Sequence, residues 1–268
     1  MILVTGATGQ LGSAILQHLR ATGADAIGSS RSDSDGMRRI DLDDPTTVSF
    51  IGVDTLVLVS AGEAEDDMVT ARHDAAITAA ERDGVGHVVY TSVAADGDHL
   101  AFALAHRWTE RRLACSSVPS TVLRNGLYAE LFGALLTWRG SRLESAFGDG
   151  ALAAVARADL AEVAAVVACA PQAHAGRRYD LVGPAITADD VAERVGVPLD
   201  RLDLATRRAS YDDTGLKPFQ PAMLMSIHTA VRHGFLAGTS GDLAMLLGRA
   251  PVDAGQVAAD AASAARPA

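Results

Sequence analysis

Lysine is nearly absent from this chain of 268 residues: Lys217 is the only one, so almost every cationic side chain is an arginine. Acidic residues outnumber basic ones by 33 to 23, which gives a formal net charge of -10 at pH 7. Surfaces that bind nucleic acid or anionic membranes need an excess of positive charge. We therefore expect neither nucleic acid nor a membrane as a partner.

Cysteine and long apolar runs are scarce as well. Cys115 and Cys169 each fall inside a helical pattern, so we expect two buried thiols and no disulfide framework. No apolar run approaches the ~20 residues of a membrane-spanning helix, and Met1 leads into the first strand without a charged leader. No cluster of Cys or His has metal-ligand spacing. These absences predict a cytoplasmic, soluble protein with no metal.

Glycine is plentiful, and three glycines near the start have a defined spacing. Residues 2–4 form an apolar run, Gly6, Gly9 and Gly12 follow, and a helical pattern begins near Gln10. A strand, a tight turn and a helix in this order form a phosphate cradle, in which the free N–H groups and positive end of the helix face the ligand. The predicted cofactor-binding residues of this segment are Gly6, Thr8, Gly9, Gln10, Leu11 and Gly12.

Strand and helix patterns alternate after this segment. Predicted strands include residues 24–29, 39–43, 54–60, 87–92 and 121–125, and predicted helices include 65–83, 99–115 and 153–170. The alternation predicts an α/β fold, a Rossmann-like doubly wound parallel sheet with a smaller C-terminal α/β lobe. We place the NAD(P)-binding domain at residues 1–182 and the smaller, substrate-side lobe at 183–268.

Ligands of such sheets bind at the carboxyl ends of the strands, where several polar residues fall. Arg31 can pair with the 2′-phosphate of NADPH, so it favours this cofactor. Asp33 and Asp35 lie nearby, and either could instead bind the 2′-hydroxyl of NADH, so NADH is the alternative. The other predicted cofactor-binding residues at strand ends are Asp41, Ser60, Gly62, Ser92 and Asn125.

Motifs along residues 1–195 together resemble those of the NmrA-like, atypical short-chain dehydrogenase/reductase family, with the quinone oxidoreductase type nearest. They are residues 5–12, Arg31, His73, Ala79-Ala80 before Gly84-Val85, Tyr90-Thr91-Ser92, His106 with Glu110, Leu123-Arg124-Asn125-Gly126, Tyr128, Glu130, Gly148-Asp149-Gly150 and Arg157-Ala158-Asp159. The resemblance implies an NAD(P)-binding Rossmann domain with a small lobe closing a cleft. It also implies a second possibility, because some members bind the dinucleotide and regulate transcription without catalysing a reaction.

The tyrosine–lysine pair of ordinary short-chain dehydrogenases is missing. The residues four positions after the four tyrosines are Ala94, Phe132, Gly183 and Gly215. Reduction of a simple ketone creates an alkoxide with a conjugate-acid pKa of about 15.7, whereas reduction of a quinone creates a phenol-like oxygen near ~10. The difference of ~6 units is roughly 8 kcal/mol of charge stabilisation that a quinone does not require from the protein.

These observations predict an NADPH-dependent oxidoreductase that passes a hydride directly to a quinone or similar conjugated acceptor. The predicted catalytic residues are His106, which occupies the family's histidine position, and Tyr128, which follows a strand end. A redox sensor of the NmrA type is the alternative, and a sugar-nucleotide epimerase is disfavoured because it relies on the missing pair. We expect a small, quinone-like substrate. A homodimer and a flavin as the electron acceptor are further possibilities.

Overall fold

The computed structural model describes residues 1–61, 64–212 and 214–267. The strands are β1 (Ile2–Val4), β2 (Ala26–Ser30), β3 (Met37–Arg39), β4 (Thr55–Leu58), β5 (His87–Val93), β6 (Ser120–Asn125), β7 (Thr137–Arg139), β8 (Arg142–Ser145), β9 (Ala151–Ala153), β10 (Arg178–Leu181), β11 (Ala185–Thr187) and β12 (Leu199–Arg201). The α-helices are α1 (Gln10–Ala21), α2 (Asp66–Asp83), α3 (Ala103–Ala114), α4 (Ala129–Ala134), α5 (Arg157–Cys169), α6 (Ala188–Val195), α7 (Leu204–Ala209), α8 (Gln220–Arg232), α9 (Asp242–Leu247) and α10 (Ala254–Ala264). Short 3-10 helices occupy Pro45–Thr47, Ala95–His99 and Pro171–His174.

The main sheet has the strand order β10-β6-β5-β4-β1-β2-β3. The pairs that β1 forms with β2 and β4 are parallel, as are β2 with β3, β4 with β5 and β5 with β6. The order extends from β1 in both directions, so the chain reverses its winding between β1 and β4. This topology confirms the predicted Rossmann-like, doubly wound sheet.

Burial explains why these segments form strands and helices. Every residue of β4 and β5 is buried, as a parallel strand covered on both faces requires. Helix α1 buries Leu11, Ile15 and Leu19, which recur at helical spacing on one face. These contacts fix α1 beside β1, which determines where the glycine-rich turn between them lies.

Three predicted elements have different bounds. The third strand lies at Met37–Arg39 rather than at 39–43, because Asp41 enters a turn in which its N–H donates to Thr47 Oγ1 at 2.8 Å. The helix predicted from residue 99 begins at Ala103, after a 3-10 turn. The stretch predicted as one helix from 153 contains the end of β9 and begins its helix only at Arg157, since a short alanine-rich run does not distinguish strand from helix by periodicity.

Both cysteines were predicted to be buried, and this was wrong. Cys115 and Cys169 are free and exposed. Each stands at or just beyond the last residue of a helix, Ala114 for α3 and Cys169 for α5, where the core-facing stripe gives way to the connection. No helix in the described part of the chain is both long enough and apolar enough to cross a membrane.

The chain forms two compact units, each built from more than one segment. The first unit comprises Met1–Val93, Leu104–Asn125 and Ala158–Tyr179, and the second comprises Ala94–Ala103, Gly126–Arg157 and Asp180–Ala268. This division differs from the predicted boundary between residues 182 and 183, since two earlier segments also belong to the second unit. The first unit contains the glycine-rich turn and most of the predicted site.

The second unit is itself an α/β structure. It contains a three-stranded sheet in the order β12-β8-β7 and the antiparallel pair of β11 with β9. Helices α4 and α10 approach so closely that a Cβ atom on Gly133 would stand 2.0 Å from the carbonyl oxygen of Ala258. Only glycine allows this helix contact.

Candidate dinucleotide-binding and active site

The glycine-rich turn has the geometry of a phosphate cradle. Gly6 has φ +60°, a left-handed conformation that favours glycine, and its carbonyl accepts the Gly9 N–H at 2.9 Å. A Cβ atom on Gly12 would stand 2.3 Å from the Gly6 oxygen, and one on Gly9 would stand 3.3 Å from it. These short distances show that the turn is compact. It is also accessible to a ligand, because Gly6, Thr8, Gly9 and Gln10 are exposed.

The start of α1 presents N–H groups beside this turn. Gly9 is the residue that precedes the helix, and it has no side chain to accept from the first N–H groups. Those N–H groups and the positive end of the helix favour an anion. Leu11 contributes its backbone here while its side chain is buried in the core.

Gly28 also shapes the phosphate cradle, and the sequence patterns did not predict this role. A Cβ atom on this residue of β2 would stand 2.5 Å from the Cβ atom of Ala7, so a larger residue would push the strand away from the turn. A glycine inside an otherwise regular strand was the available signal.

Arg31 follows directly after β2 and is exposed. The nearby Asp43 forms an ion pair with Arg72, with Nε and Oδ1 2.6 Å apart. The Arg72 hydrogen bond lowers the pKa of Asp43, and the charge of Arg31 lowers it further, so both guanidinium groups lie in the same neighbourhood. Asp41, predicted to contact the adenine, uses Oδ1 to accept the Asp43 N–H at 3.1 Å.

Threonine hydroxyls fix the ends of β1 and β4. Thr5 Oγ1 accepts the Val59 N–H at 2.9 Å, and Thr91 Oγ1 accepts the Ser60 N–H at 3.0 Å. The Ser60 Oγ atom is buried and has no hydrogen-bond partner among the described residues. Gly62, the other residue predicted at this strand end, lies outside the described residues.

A buried histidine supports the same strand end. His73 is fully buried, and its Nε2 accepts the Ala61 N–H at 3.0 Å, so Nδ1 carries the proton and donates to Thr109 Oγ1 at 2.7 Å. Burial lowers the pKa of His73 to about 3, helped by the neighbouring His106 and Arg72. This neutral histidine is a structural support that the sequence alone did not reveal.

His106 lies half-buried on α3 and is paired with a tyrosine. Its Nδ1 is 2.9 Å from the hydroxyl of Tyr90, whose ring is fully buried. Burial, assisted by the charge of Arg107, lowers the pKa of His106 to about 4. Burial also raises the pKa of Tyr90 well above its ordinary value. At neutral pH both side chains are uncharged and form a hydrogen-bonded pair.

Ser92 belongs to a buried ionic network. Its hydroxyl donates to Glu110 Oε1 at 2.6 Å, and Glu110 is also bound by Arg124 Nη2 at 2.7 Å and by Arg107 Nη1 at 2.9 Å. Burial alone would raise the pKa of Glu110, but the hydrogen bonds from Arg124 and Ser92 outweigh it and the pKa is lowered. The Ser92 hydroxyl hydrogen is thus already engaged within the protein.

Asn125 ends β6 and is 7 % exposed, and its Oδ1 atom has no hydrogen-bond partner among the described residues. A buried amide oxygen without a partner costs free energy, on the order of 1–3 kcal/mol. A ligand group that donates to Oδ1 would remove this cost. The unpartnered Asn125 oxygen, together with a turn that a Cβ would fill, fits a bound dinucleotide.

Tyr128, the other predicted catalytic residue, lies in the second unit immediately before α4. The guanidinium carbon of Arg157 lies 4.6 Å from the centre of the Tyr128 ring, and Arg157 also pairs with Glu130 at 3.4 Å. Burial raises the pKa of Tyr128, against a smaller opposing effect of Arg157. Its hydroxyl is therefore protonated at neutral pH and is a hydrogen-bond donor.

Comparison with known proteins places the chain in a family. The NAD dependent epimerase/dehydratase family matches residues 2–100. Quinone oxidoreductase 2 of Escherichia coli is 31 % identical over 271 residues, covering 92 % of this chain and 94 % of the relative. The crystal structure of the NADPH-dependent quinone oxidoreductase QOR2 of Escherichia coli with NADPH superposes with a TM-score of 0.84 at 29 % identity, covering 97 % of this chain and 99 % of that one.

A second solved structure is equally close in fold. The triphenylmethane reductase of Citrobacter sp., complexed with NADP(H), has a TM-score of 0.87 at 26 % identity and covers 97 % of this chain and 99 % of its own. Fold and relatives define an NAD(P)-dependent oxidoreductase. More specifically, the chain belongs to the NmrA-like, atypical short-chain dehydrogenase/reductase family and stands near its quinone oxidoreductase type.

Proposed function

We propose that the protein reduces quinones or similar conjugated acceptors with NADPH, by direct hydride transfer from cofactor to substrate. The observation that carries this proposal is the absence of a lysine four residues after any tyrosine, in a chain whose glycine-rich turn supports dinucleotide binding. Without that acid pair, the roughly 8 kcal/mol needed to stabilise an alkoxide has no source, whereas a phenol-like oxygen does not require it. The relative named quinone oxidoreductase 2 supports this substrate class.

NADPH, when bound, supplies the hydride. The exposed turn of Gly6 to Gly12 would hold the pyrophosphate, and Arg31 would hold the 2′-phosphate with Arg72 nearby. Asp41 would contact the adenosine half. Ser60, Ser92 and Asn125 would line the nicotinamide half, with Asn125 Oδ1 accepting a hydrogen bond from its carboxamide.

His106 and Tyr128 are proposed to act as hydrogen-bond donors rather than as charged acids. His106 is neutral at pH 7 because burial lowers its pKa to about 4, and Tyr128 stays protonated because burial raises its pKa. A neutral donor is sufficient for an acceptor whose reduced oxygen has a pKa near ~10. Tyr90 is proposed to orient His106 through their hydrogen bond.

The experiment is steady-state oxidation of NADPH with a panel of small quinones and, beside it, unactivated ketones, each corrected for the uncatalysed rate. Saturable turnover with quinones and none with the ketones is the expected result. Comparable turnover of unactivated ketones would overturn the acceptor assignment. Dinucleotide binding with no turnover at all would favour the non-catalytic sensor of the NmrA type.

Homodimerisation stays a prediction, which light scattering on the purified protein tests.

A further inference from the structure

Two large apolar side chains lie exposed on one face of helix α3. Leu104 is 63 % exposed and Trp108 is 38 % exposed. They are four residues apart, so they are neighbours on the same face of the helix. Among the described residues, no other two exposed large apolar side chains lie one helical turn apart. Burial of this pair against a partner would be favourable.

The same face of the helix continues with Arg111 and Cys115, which are also exposed. On the opposite side of α3, Leu113 is buried in the core. Leu104, Trp108, Arg111 and Cys115 therefore form one exposed row, which we call the α3 stripe. Its spacings of four, three and four residues are those of the contact seam between two paired helices.

The two neighbouring arginines of α3 have different surroundings. Arg112 Nε pairs with Asp74 Oδ1 at 2.8 Å and Arg112 Nη2 pairs with Glu81 Oε2 at 2.8 Å, which holds α3 against α2. The guanidinium group of Arg111 forms no hydrogen bond or ion pair with any residue in the described part of the chain. The α3 stripe thus presents an available cation, beside an exposed indole, on a helix that is fixed in place.

The α3 stripe is complementary to itself. When two copies of α3 lie antiparallel about a two-fold axis that passes between Trp108 and Arg111, each Trp108 faces Arg111 of the second copy. The same axis places each Leu104 opposite Cys115 of the second copy. A guanidinium group over the face of an indole is a favourable contact, and the two-fold symmetry forms it twice.

We propose that the α3 stripe is the interface of a homodimer in which two copies of α3 pack antiparallel. The occupant is a second copy rather than an unrelated protein, because the stripe itself supplies both the cation and the aromatic face in matching register. All four residues belong to the first unit. The proposal is independent of the proposed redox function, since its test measures association and not turnover.

The test is sedimentation velocity of the full chain over a range of protein concentrations. We expect a concentration-dependent dimer, and we expect Trp108→Arg to weaken it at least about a hundredfold, since arginine then faces arginine at both contacts. Ile51→Arg, at a residue that is 71 % exposed outside α3, is the matched control and should retain the wild-type dimer. Equal association of Trp108→Arg and wild type would overturn the interface. A wild type that is monomeric at every concentration would overturn the proposal and leave the stripe to a partner of another kind.

A double variant tests the register of the pairing. The two-fold axis exchanges positions 108 and 111, so Trp108→Arg combined with Arg111→Trp restores an arginine opposite a tryptophan. We expect this double variant to regain most of the affinity that Trp108→Arg loses. Urea unfolding checks that each variant is as stable as the wild type. A folded double variant that associates as weakly as Trp108→Arg would refute the pairing.

A measurement on the unmodified protein covers the case in which a variant does not fold. Cys115 is exposed in the single chain and lies opposite Leu104 of the second copy in the dimer. Its alkylation by a maleimide should therefore slow as the protein concentration is raised through the range in which the dimer forms. Peptide mass spectrometry distinguishes Cys115 from Cys169. An alkylation rate of Cys115 that does not change as the dimer forms would contradict the interface.

Discussion

The hydroxyl of Tyr90 lies 2.9 Å from Nδ1 of His106, and the same tyrosine ring meets His73 edge-on with the ring centres 5.4 Å apart. The three side chains join β5 to the two helices α2 and α3. Burial lowers the pKa of His106 to about 4 and that of His73 to about 3. The trio is thus uncharged at neutral pH and is sensitive to acid.

Folding stability should fall as the pH is lowered from 7 to about 5. Histidines in the unfolded chain take up protons near pH 6.5, whereas His73 and His106 in the folded protein do not, so acid favours the unfolded state. At about pH 5 each histidine should contribute roughly 2 kcal/mol to the loss. Urea unfolding at several pH values measures it.

Three histidine variants, measured by the same urea unfolding at several pH values, test which residues cause the pH dependence. His73→Gln and His106→Gln should each reduce the pH dependence, and His99→Gln, at an exposed position, should leave it unchanged. Carboxylates contribute at lower pH, because the pKa values of Glu110 and Glu81 are lowered below their ordinary values. Equal stability at pH 5 and pH 7 would contradict the neutral assignment.

Gly12→Ala should weaken dinucleotide binding at least tenfold. The new Cβ atom would stand 2.3 Å from the Gly6 carbonyl oxygen, so the turn must open, at a cost of about 1–3 kcal/mol of stability. Titration of NADPH fluorescence gives the affinity, and urea unfolding gives the stability. Gly241→Ala is the control, because a Cβ atom there would meet nothing within 4 Å. Unaltered NADPH affinity in Gly12→Ala would argue against the cradle.

Arg31→Glu should reverse or abolish a preference for NADPH. Loss of a charge-assisted contact with the 2′-phosphate is worth about 1.5–3 kcal/mol, so kcat/KM for NADPH relative to NADH should fall about ten- to hundred-fold. Arg20→Glu on α1 makes the same charge change at another exposed position and should preserve the ratio. If both variants retain the wild-type ratio, Arg31 does not read the phosphate.

Asn125→Ala should impair cofactor use without unfolding the protein. The Asn125 Oδ1 atom has no partner among the described residues, so its removal breaks no hydrogen bond at that atom and should lower stability by no more than about 1 kcal/mol. We expect a tenfold or greater loss in kcat/KM for NADPH. A stability loss with unchanged kinetics would assign Asn125 to the fold instead.

Thr121→Val, on the same strand as Asn125, is the matched control. It should lower stability and leave the use of NADPH unchanged. The Thr121 hydroxyl donates to the His174 carbonyl at 2.8 Å and lies 2.9 Å from His87 Nε2. Its loss should lower stability by about 1–3 kcal/mol because it leaves buried partners unsatisfied. NADPH kinetics should remain close to those of the wild type.

The sequence was sufficient for the sheet and the cradle because both depend on local patterns. Apolar runs such as Thr55–Leu58 and the spacing of Gly6, Gly9 and Gly12 report strand, turn and helix directly. The carboxyl-end positions of Ser60 and Asn125 then follow from parallel topology. The start of α3 at Ala103 was harder to predict, because the 3-10 turn before it has the amino-acid composition of a helix end.

The supporting contacts could not be predicted from patterns, since each joins distant parts of the chain. The bond from the Ala61 N–H to His73, and the pairing of Glu110 with Arg124, depend on how the helices pack on the sheet. The burial of Arg207 on α7 was missed for the same reason, because an arginine in a short polar helix is expected to be exposed.

The most direct test of the central claim is a single-turnover reaction without oxygen or added flavin. Protein loaded with NADPH is mixed with a small quinone, and the experiment is repeated with NADPH carrying deuterium at the transferred position. We predict rapid, quinone-dependent oxidation that saturates with quinone and is slowed by deuterium. Failure of a folded, NADPH-binding protein to oxidise the cofactor, or oxidation at a rate independent of quinone, would contradict the account.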